Sequence, residues 1–306
     1  MDLATLFSLQ GSLFAMMLTG AWLKKRGLID ENGKRCLTDL CINVIIPCNI
    51  FKSCLTDLDA GVFREFGLLL LAGVLIEGLS MLLNQWLFNR YSPQRKKVLQ
   101  YCALVPNSGF LGNPIAEGIY GQPGVMYASV FLIPLRIIMW SVGPTYFVAD
   151  GTVDKKKVLR NILTHPCLVA VWLGLARLLT QVSLPSVVTE TVRYIGNCNS
   201  AMTMFIVGTI LADVKLTTIV NRDTIFISFI RLVAIPAAAL GIGVLLKLDS
   251  IPLGINVLMM GMPAGATTAI FAARYHSDAP FATRCVVMTT LASMLTIPLW
   301  YWVIGV

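Results

Sequence analysis

The chain has 306 residues, of which 56% are hydrophobic and only 13% charged, and its mean hydropathy is +0.75. Soluble domains average about 25% charged residues, so this composition excludes an ordinary water-soluble protein and indicates a polytopic protein of the lipid bilayer. The formal net charge is +8. Because the basic runs fall in the links between apolar segments, they act as a topology signal, and we expect no nucleic-acid partner.

Apolar runs of membrane-spanning length follow one another along almost the whole chain. A span needs about 20 residues to cross about 30 Å of hydrocarbon, and the sequence predicts ten such spans. They cover residues 3–23, 36–55, 62–88, 98–120, 124–148, 166–182, 187–212, 224–246, 254–275 and 280–304. The expected fold class is therefore an all-α membrane protein with ten transmembrane helices.

The links after the odd-numbered spans hold most of the lysines and arginines. By the positive-inside rule, these links are cytoplasmic and both termini lie outside. We expect the protein to lie in the plasma membrane.

A polar link, residues 149–165, divides the chain into two sets of five spans, 1–148 and 166–306. Because five is an odd number, the second set lies upside down relative to the first, as in transporters built from inverted repeats. Span 4 contains Pro106-Asn107-Ser108-Gly109-Phe110-Leu111-Gly112-Asn113-Pro114, whose prolines and glycines interrupt a helix. The repeat predicts a matching break in span 9, where Met262-Pro263-Ala264-Gly265-Ala266-Thr267-Thr268 stands.

The two breaks are the predicted substrate site. Interrupted helices are tolerated in a membrane only where they contact protein or line a wet cavity, and the N-termini of half-helices favour anions. We therefore expect a small organic anion, a carboxylate, as substrate. Polar residues of spans 2 and 7 would form the opposite wall, although helix–helix hydrogen bonding explains them equally well. The candidate residues are Asn107, Ser108, Gly109, Asn113, Pro114, Pro263, Gly265, Thr267, Thr268, Asn43 and Asn199.

Two charged residues lie near the middle of spans, Glu77 in span 3 and Arg136 in span 5. A lone charge at the bilayer centre costs at least about 3 kcal/mol, so we expect these two to pair. The pair would be structural, or Glu77 would act as a proton switch beside the break, or Arg136 would attract the anion. Arg231 lies in the inner half of span 8, and Lys52 and Glu117 lie closer to the outer surface.

The sequence predicts neither catalysis nor a cofactor or metal site. None of the eight cysteines forms a CxxC pair, which argues against a zinc site or a disulfide framework. HExxH, GxSxG and P-loop patterns do not occur. We therefore expect a protein that is not an enzyme.

The interrupted stretches also resemble a known family. Residues 107–114, followed by Tyr120-Gly121, resemble the fourth-span signature of the auxin efflux carrier family, and 262–275 resemble its ninth-span counterpart. Residues 289–300 are similar to its last span. This resemblance covers the whole chain. It implies crossing helices 4 and 9 in two inverted repeats, a scaffold of spans 1, 2, 6 and 7 that is often dimeric, and a mobile transport domain of spans 3–5 and 8–10.

The resemblance also implies a substrate class. Family substrates are small organic anions: auxin in plants, and malate- or malonate-like acids proposed for bacterial members. Asn107 matches the asparagine that meets the substrate carboxylate in the plant exporters, and Glu77 falls near the family's acidic support residue. The long central loop of the plant exporters is absent, which indicates a compact bacterial form. Gly265, Thr267 and Thr268 stand where the plant exporters have an asparagine, so we do not expect specificity for indole acids.

The expected function is transport of the anion by an elevator mechanism. Moving one charge through 100 mV is worth about 2.3 kcal/mol, which exceeds a tenfold gradient at about 1.4 kcal/mol. An inside-negative membrane therefore drives uncoupled export, whereas import needs coupled protons or sodium. The alternatives are such a coupled importer, resembling the bile-acid symporters that share the crossed helices, and a ligand-binding membrane sensor or scaffold.

Overall fold

The structure, a computed structural model, describes residues 3–55, 61–147, 164, 166–213 and 216–305, and helices dominate them. The first half contains α1 (Leu3–Lys25), α2 (Glu31–Leu40), α3 (Ile46–Ser53), α4 (Gly61–Leu87), α5 (Pro93–Leu104) and α6 (Asn113–Thr145). The second contains α7 (Pro166–Thr180), α8 (Ser186–Asn197), α9 (Asn199–Ala212), α10 (Arg222–Phe229), α11 (Ile235–Leu245), α12 (Ser250–Met260), α13 (Thr267–Arg274) and α14 (Ala279–Ile304). The predicted link 149–165 lies outside the described residues except for Thr164.

Six helical stretches of the described residues are long and apolar enough to cross a membrane. They are Glu31–Ser53, Val62–Leu87, Ser108–Met139, Ser186–Ala212, Arg222–Leu245 and Ala279–Ile304, and the shorter apolar helices are Pro166–Thr180 and Ser250–Met260. These findings confirm an all-helical, multi-pass membrane protein. Helices also occupy the remaining predicted spans, while the total of ten crossings stays a prediction.

The part of the chain that the structure describes contains three π turns, and each is followed at once by an X-Pro pair. They are Cys41–Ile45 before Pro47, Ser108–Gly112 before Pro114, and Ile230–Ala234 before Pro236. Proline lacks an N–H and clashes with the carbonyl four residues earlier. A wider turn moves that carbonyl away, and turns of this kind are common at functional sites.

A single glycine separates two helices inside α6. Gly121 has φ 67° and ψ −149°, a conformation that residues with a side chain rarely adopt. The chain reverses there, so that 113–120 form the second half of predicted span 4 and 122–145 form predicted span 5. The sequence placed its boundary between spans 4 and 5 at this position.

The helices pack in two sets. In the first, α1 packs along α9, and α3 packs on α7 and α8. In the second, α4 packs on α6 and α11, α11 packs on α12, and α14 packs on α10 and α13. The π turn Ser108–Gly112 contacts α9, and α3 contacts α6, so the two sets meet beside the interrupted helices.

Two glycines allow α1 and α9 to touch backbone to backbone. A Cβ atom on Gly20 would lie 2.3 Å from the carbonyl oxygen of Phe205, and one on Gly208 would lie 2.0 Å from that of Met17. Small residues permit this approach in membranes, where dispersion contacts drive helix association. The α1–α9 contact therefore depends on Gly20 and Gly208.

We expect Gly20→Ala to lower the melting temperature of the detergent-purified protein, because its methyl group has no space; overpacking of this kind costs about 1–3 kcal/mol. The matched control is Gly11→Ala in the same helix, where a Cβ meets nothing within 4 Å. Alanine is the better helix former by about 1 kcal/mol, so the control should melt at the same temperature or higher. Equal melting temperatures for the two variants would contradict the close contact.

Candidate functional site

The two interrupted helices meet at their breaks. The amide of Asn107 donates a hydrogen bond of 2.7 Å to the carbonyl of Pro263, and the amide of Gly265 donates one of 2.8 Å to the carbonyl of Val105. The pair forms a short antiparallel bridge. Main-chain N–H and C=O groups that lose their helical partners at one break thus hydrogen-bond to the other break. Such pairing is required because hydrocarbon offers no hydrogen-bond partners. The predicted break in span 9 is confirmed, and this paired segment is called the crossover below.

A cavity of about 940 Å³ borders the crossover. The predicted site residues among its lining are Asn107, Gly109, Gly265, Thr267 and Arg136. The lining also includes apolar side chains of the first set of helices. These are Ile42, Ile46, Ile206 and Ile210. The cavity therefore lies between the two sets and has a largely apolar wall.

One end of the cavity carries charged side chains. Exposed Glu31, Arg35 and Asp213 belong to its lining, as does Lys34. Asp213 accepts salt bridges from Lys24 at 3.1 Å and from Lys34 at 3.2 Å. The cavity is therefore open where the link after α1 meets the end of α9.

Two buried hydrogen-bond donors in this cavity have no acceptor among the described residues. The Arg136 side chain is buried, and its Nη1 makes no hydrogen bond to any described residue; the same holds for Nδ2 of Asn107. Buried donors are normally paired, and leaving one unpaired costs about 1–3 kcal/mol. An anion that accepted a hydrogen bond from either donor would satisfy it, and a guanidinium suits a carboxylate especially well. The arrangement can bind a small carboxylate.

The other predicted site residues do not line this cavity. Ser108 donates from Oγ to the carbonyl of Met259 at 2.6 Å, which joins the first break to α12. Asn43 is exposed, and its Nδ2 donates to the carbonyl of Asp39 at 2.8 Å. The remaining members are Asn113, Pro114, Pro263, Thr268 and Asn199. Of these, Asn113, Thr268 and Asn199 are buried, and their side-chain polar atoms have no hydrogen-bond partner among the described residues.

The predicted pairing of Glu77 with Arg136 is wrong. Within the described residues no salt bridge joins them, and neither carboxylate oxygen of Glu77 accepts a hydrogen bond. Glu77 instead interacts electrostatically with Arg231. Sequence position indicates how deep a residue lies in the membrane but not the direction it faces around its helix. Glu77 is on α4, which packs against α11 and α12, whereas Arg136 faces the cavity.

An ion pair joins the two sets of helices at another point. Lys52 at the end of α3 donates from Nζ to Glu117 Oε1 on α6 at 2.8 Å and to Asn197 Oδ1 at 3.0 Å. Glu117 Oε1 also accepts from Gln122 at 3.0 Å. At a rise of about 1.5 Å per residue, Lys52 lies roughly 30 Å along its helical stretch from Glu31. The sequence placed both charges near the outer surface but gave no signal that they pair.

The chain is similar to membrane transport proteins along most of its length. The family described as Membrane transport protein matches residues 11–301. An uncharacterized transporter of Methanothermobacter thermautotrophicus is 27% identical over 295 residues, which are 94% of this chain and 95% of that protein. The uncharacterized transporter YfdV of Escherichia coli K12 is 25% identical over 302 residues, 95% of each chain.

A plant protein matches over a shorter range. Auxin efflux carrier component 3a of Oryza sativa subsp. japonica is 22% identical over 201 residues, 65% of this chain and 29% of that protein. This chain belongs to the auxin efflux carrier family. It is therefore a membrane transport protein, and the resemblance of its interrupted spans to this family is confirmed.

Binding of small carboxylates to this family member should depend on Arg136. We expect Arg136→Gln to weaken the binding of the tightest ligand in a panel of mono- and dicarboxylates by about 10- to 100-fold, since a hydrogen bond to a charged group is worth about 1.5–3 kcal/mol. Isothermal titration of purified protein measures this. The control is Arg193→Gln, an exposed arginine paired with Glu190. Equal affinities for the two variants would remove Arg136 from the site.

Proposed function

We propose that this protein is a secondary transporter or uniporter that carries a small organic anion, a carboxylate, across the plasma membrane. The observation that carries the proposal is the cavity between the two sets of helices, in which Arg136 and Asn107 present donors that no described residue satisfies. Membership in a membrane transport family supplies the general activity. The two donors suit an anionic group, and the apolar wall around them suits the hydrocarbon part of a small organic ligand.

The proposed architecture is ten spans in two inverted repeats. The breaks after α5 and α12 and their mutual hydrogen bonds support it. The first set of helices, with predicted spans 1, 2, 6 and 7, would be the scaffold, and the second set, with predicted spans 3–5 and 8–10, would be the transport domain. Both termini would face outward. A homodimer joined through the scaffold stays a prediction from the family resemblance.

In the proposed elevator cycle, this structure corresponds to the inward-open state. The cavity is open beside Glu31 and Asp213, in links that the positive-inside rule assigns to the cytoplasm. The salt bridge between Lys52 and Glu117 would close the other end, because it ties α3 of the scaffold to α6 of the transport domain. Sliding the transport domain along the scaffold separates these charges and moves the crossover toward the outer surface.

Export is the proposed direction. A monovalent anion leaving an inside-negative cell gains about 2.3 kcal/mol per 100 mV, so the membrane potential alone drives it outward. Arg136 is buried, its Nη1 lacks an acceptor among the described residues, and none of the salt bridges among those residues involves it. The cavity therefore holds the anion by moderate forces. Moderate binding favours release on the far side.

Flux through proteoliposomes tests the anion site. We expect Asn107→Ala to reduce the flux of the best-bound carboxylate by about tenfold or more, because one hydrogen bond to a charged group is lost. In the unmodified protein, an imposed potassium-diffusion potential, negative on the cytoplasmic side, should accelerate flux away from that side. The control is Asn43→Ala, which removes an amide that does not line the cavity. Wild-type flux in Asn107→Ala would exclude Asn107 from the site.

Charge reversal tests the closed end. Lys52→Glu and Glu117→Lys each place like charges where the structure has a 2.8 Å salt bridge, so we expect each to lower flux severalfold by disfavouring the inward-open state. The double reversal should recover much of it. The exposed pair Arg193–Glu190 provides the same three variants as a control, and exposed pairs contribute only about 0–1 kcal/mol. A double reversal whose flux is no higher than that of the single variants would show that the Lys52–Glu117 salt bridge does not close this end of the cavity.

A further inference from the structure

The most completely buried cation of the described residues is Arg231, which has no exposed surface. It lies in the π turn Ile230–Ala234, between α10 and α11. Its Nη1 donates to the carbonyl of Ala103 at 2.7 Å, and its Nε donates to the carbonyl of Met262 at 3.1 Å. Its Nη2 donates to the carbonyl of Met260. All three acceptors are main-chain oxygens at the crossover.

These oxygens belong to the C-terminal ends of the two interrupted helices. Ala103 is in the last turn of α5, Met260 is the last residue of α12, and Met262 lies in the break. The last carbonyls of a helix have no partner within it, and each C-terminus carries about half a negative charge. Two such ends converge here inside the protein, away from water. The site requires a cation or several donors, and a guanidinium supplies both at once.

We propose that Arg231 is the crossover's built-in cation, a positioning residue that occupies the place where a transported sodium ion would otherwise neutralise the C-terminal ends of α5 and α12. It follows that the substrate anion crosses without a cation bound at this point. This inference rests on the proposed function, anion transport, and distinguishes uncoupled movement from sodium-coupled movement. Carbonyl oxygens at the end of a helix are typical sodium ligands in transporters with broken helices, and here a side chain of the protein holds them.

The proposal also explains why the half-helix ends beside the cavity carry partial positive charge. With the C-terminal ends held by Arg231, the opposite half-helix ends, at Ser108 and Thr267, keep their N-terminal partial positive charge beside the cavity. Glu77 interacts with Arg231 electrostatically but has no hydrogen-bond partner among the described residues.

The first test compares sodium with an inert cation. The melting temperature of the purified wild-type protein and its carboxylate flux in proteoliposomes are measured in sodium chloride and in N-methylglucamine chloride. We expect both to be the same in the two salts. A saturable rise of either with sodium concentration would show that a cation binds in addition to Arg231 and would overturn the proposal.

The second test removes the guanidinium and returns it as a solute. Arg231→Ala leaves the three carbonyls facing a space that guanidinium ion fits, and Arg231→Leu fills that space with an apolar side chain. We expect both variants to lose melting temperature and at least tenfold in flux. Guanidinium chloride at millimolar concentration should restore part of both losses in Arg231→Ala but in neither Arg231→Leu nor the wild type. Urea at the same concentration, which is uncharged, serves as the solute control.

Two results of the second test would overturn the proposal: an Arg231→Ala variant as stable and active as the wild type, or a destabilised one that guanidinium does not rescue. Where Arg231→Ala fails to fold, the wild-type salt comparison and Arg231→Lys decide, because lysine keeps the charge and should retain more stability than leucine. The melting temperatures test Arg231 even when no tested anion is transported. Conversely, sodium-dependent flux that Asn107→Ala abolishes would support the transport proposal and reject this one.

Discussion

Main-chain polar groups within a membrane must find partners inside the protein, because hydrocarbon offers none. This constraint governs the crossover. Each break leaves amides and carbonyls without helical partners. The amides of Asn107 and Gly265 donate hydrogen bonds across the crossover to carbonyls of the opposite break. The remaining C-terminal carbonyls are held by Arg231. The two interrupted helices are therefore hydrogen-bonded to each other and to the π turn between α10 and α11, which joins these parts of the second set beside the cavity.

Proline explains where the helices change their winding. The π turns before Pro47, Pro114 and Pro236 all relieve the same clash, yet each has a different consequence. The first contains Ile42 and the second contains Gly109, both of which line the cavity. The third contains Arg231. A wider turn shifts the register of every following side chain, so a proline two residues beyond the turn also decides which neighbouring residues face the cavity and which face the crossover.

The sequence predicts the helical class, the two breaks and the chain reversal near Gly121, because prolines and glycines in long apolar runs carry strong local signals. It also identifies five residues that line the cavity, including Asn107 and Arg136. Sequence-based prediction fails where a contact depends on the direction in which a side chain points around its helix axis. Glu77 and Arg136 lie at similar depths but face different neighbours. The partners of Arg231 are main-chain carbonyls, which have no signature in the sequence, and the contact between Lys52 and Glu117 joins helices far apart in the chain.

Three cationic side chains of the described residues are buried, and their partners distinguish their roles. A charge buried without a partner is costly, by about 3 kcal/mol or more at the bilayer centre. Arg231 is satisfied by carbonyls within one set of helices, so its contacts persist whichever way that set moves. Lys52 bonds within its own set to Asn197 and across the boundary between the sets to Glu117, so in the proposed elevator cycle its salt bridge would exist in only one arrangement of the sets. Arg136 is the one whose guanidinium retains a buried donor without an acceptor among the described residues, and it faces the cavity. Arg231 binds the crossover, Lys52 joins the two sets of helices, and Arg136 has bonding capacity left for a ligand. An anion that enters the cavity and accepts a hydrogen bond from Arg136 removes a cost the empty protein already bears, which gives binding a source of free energy.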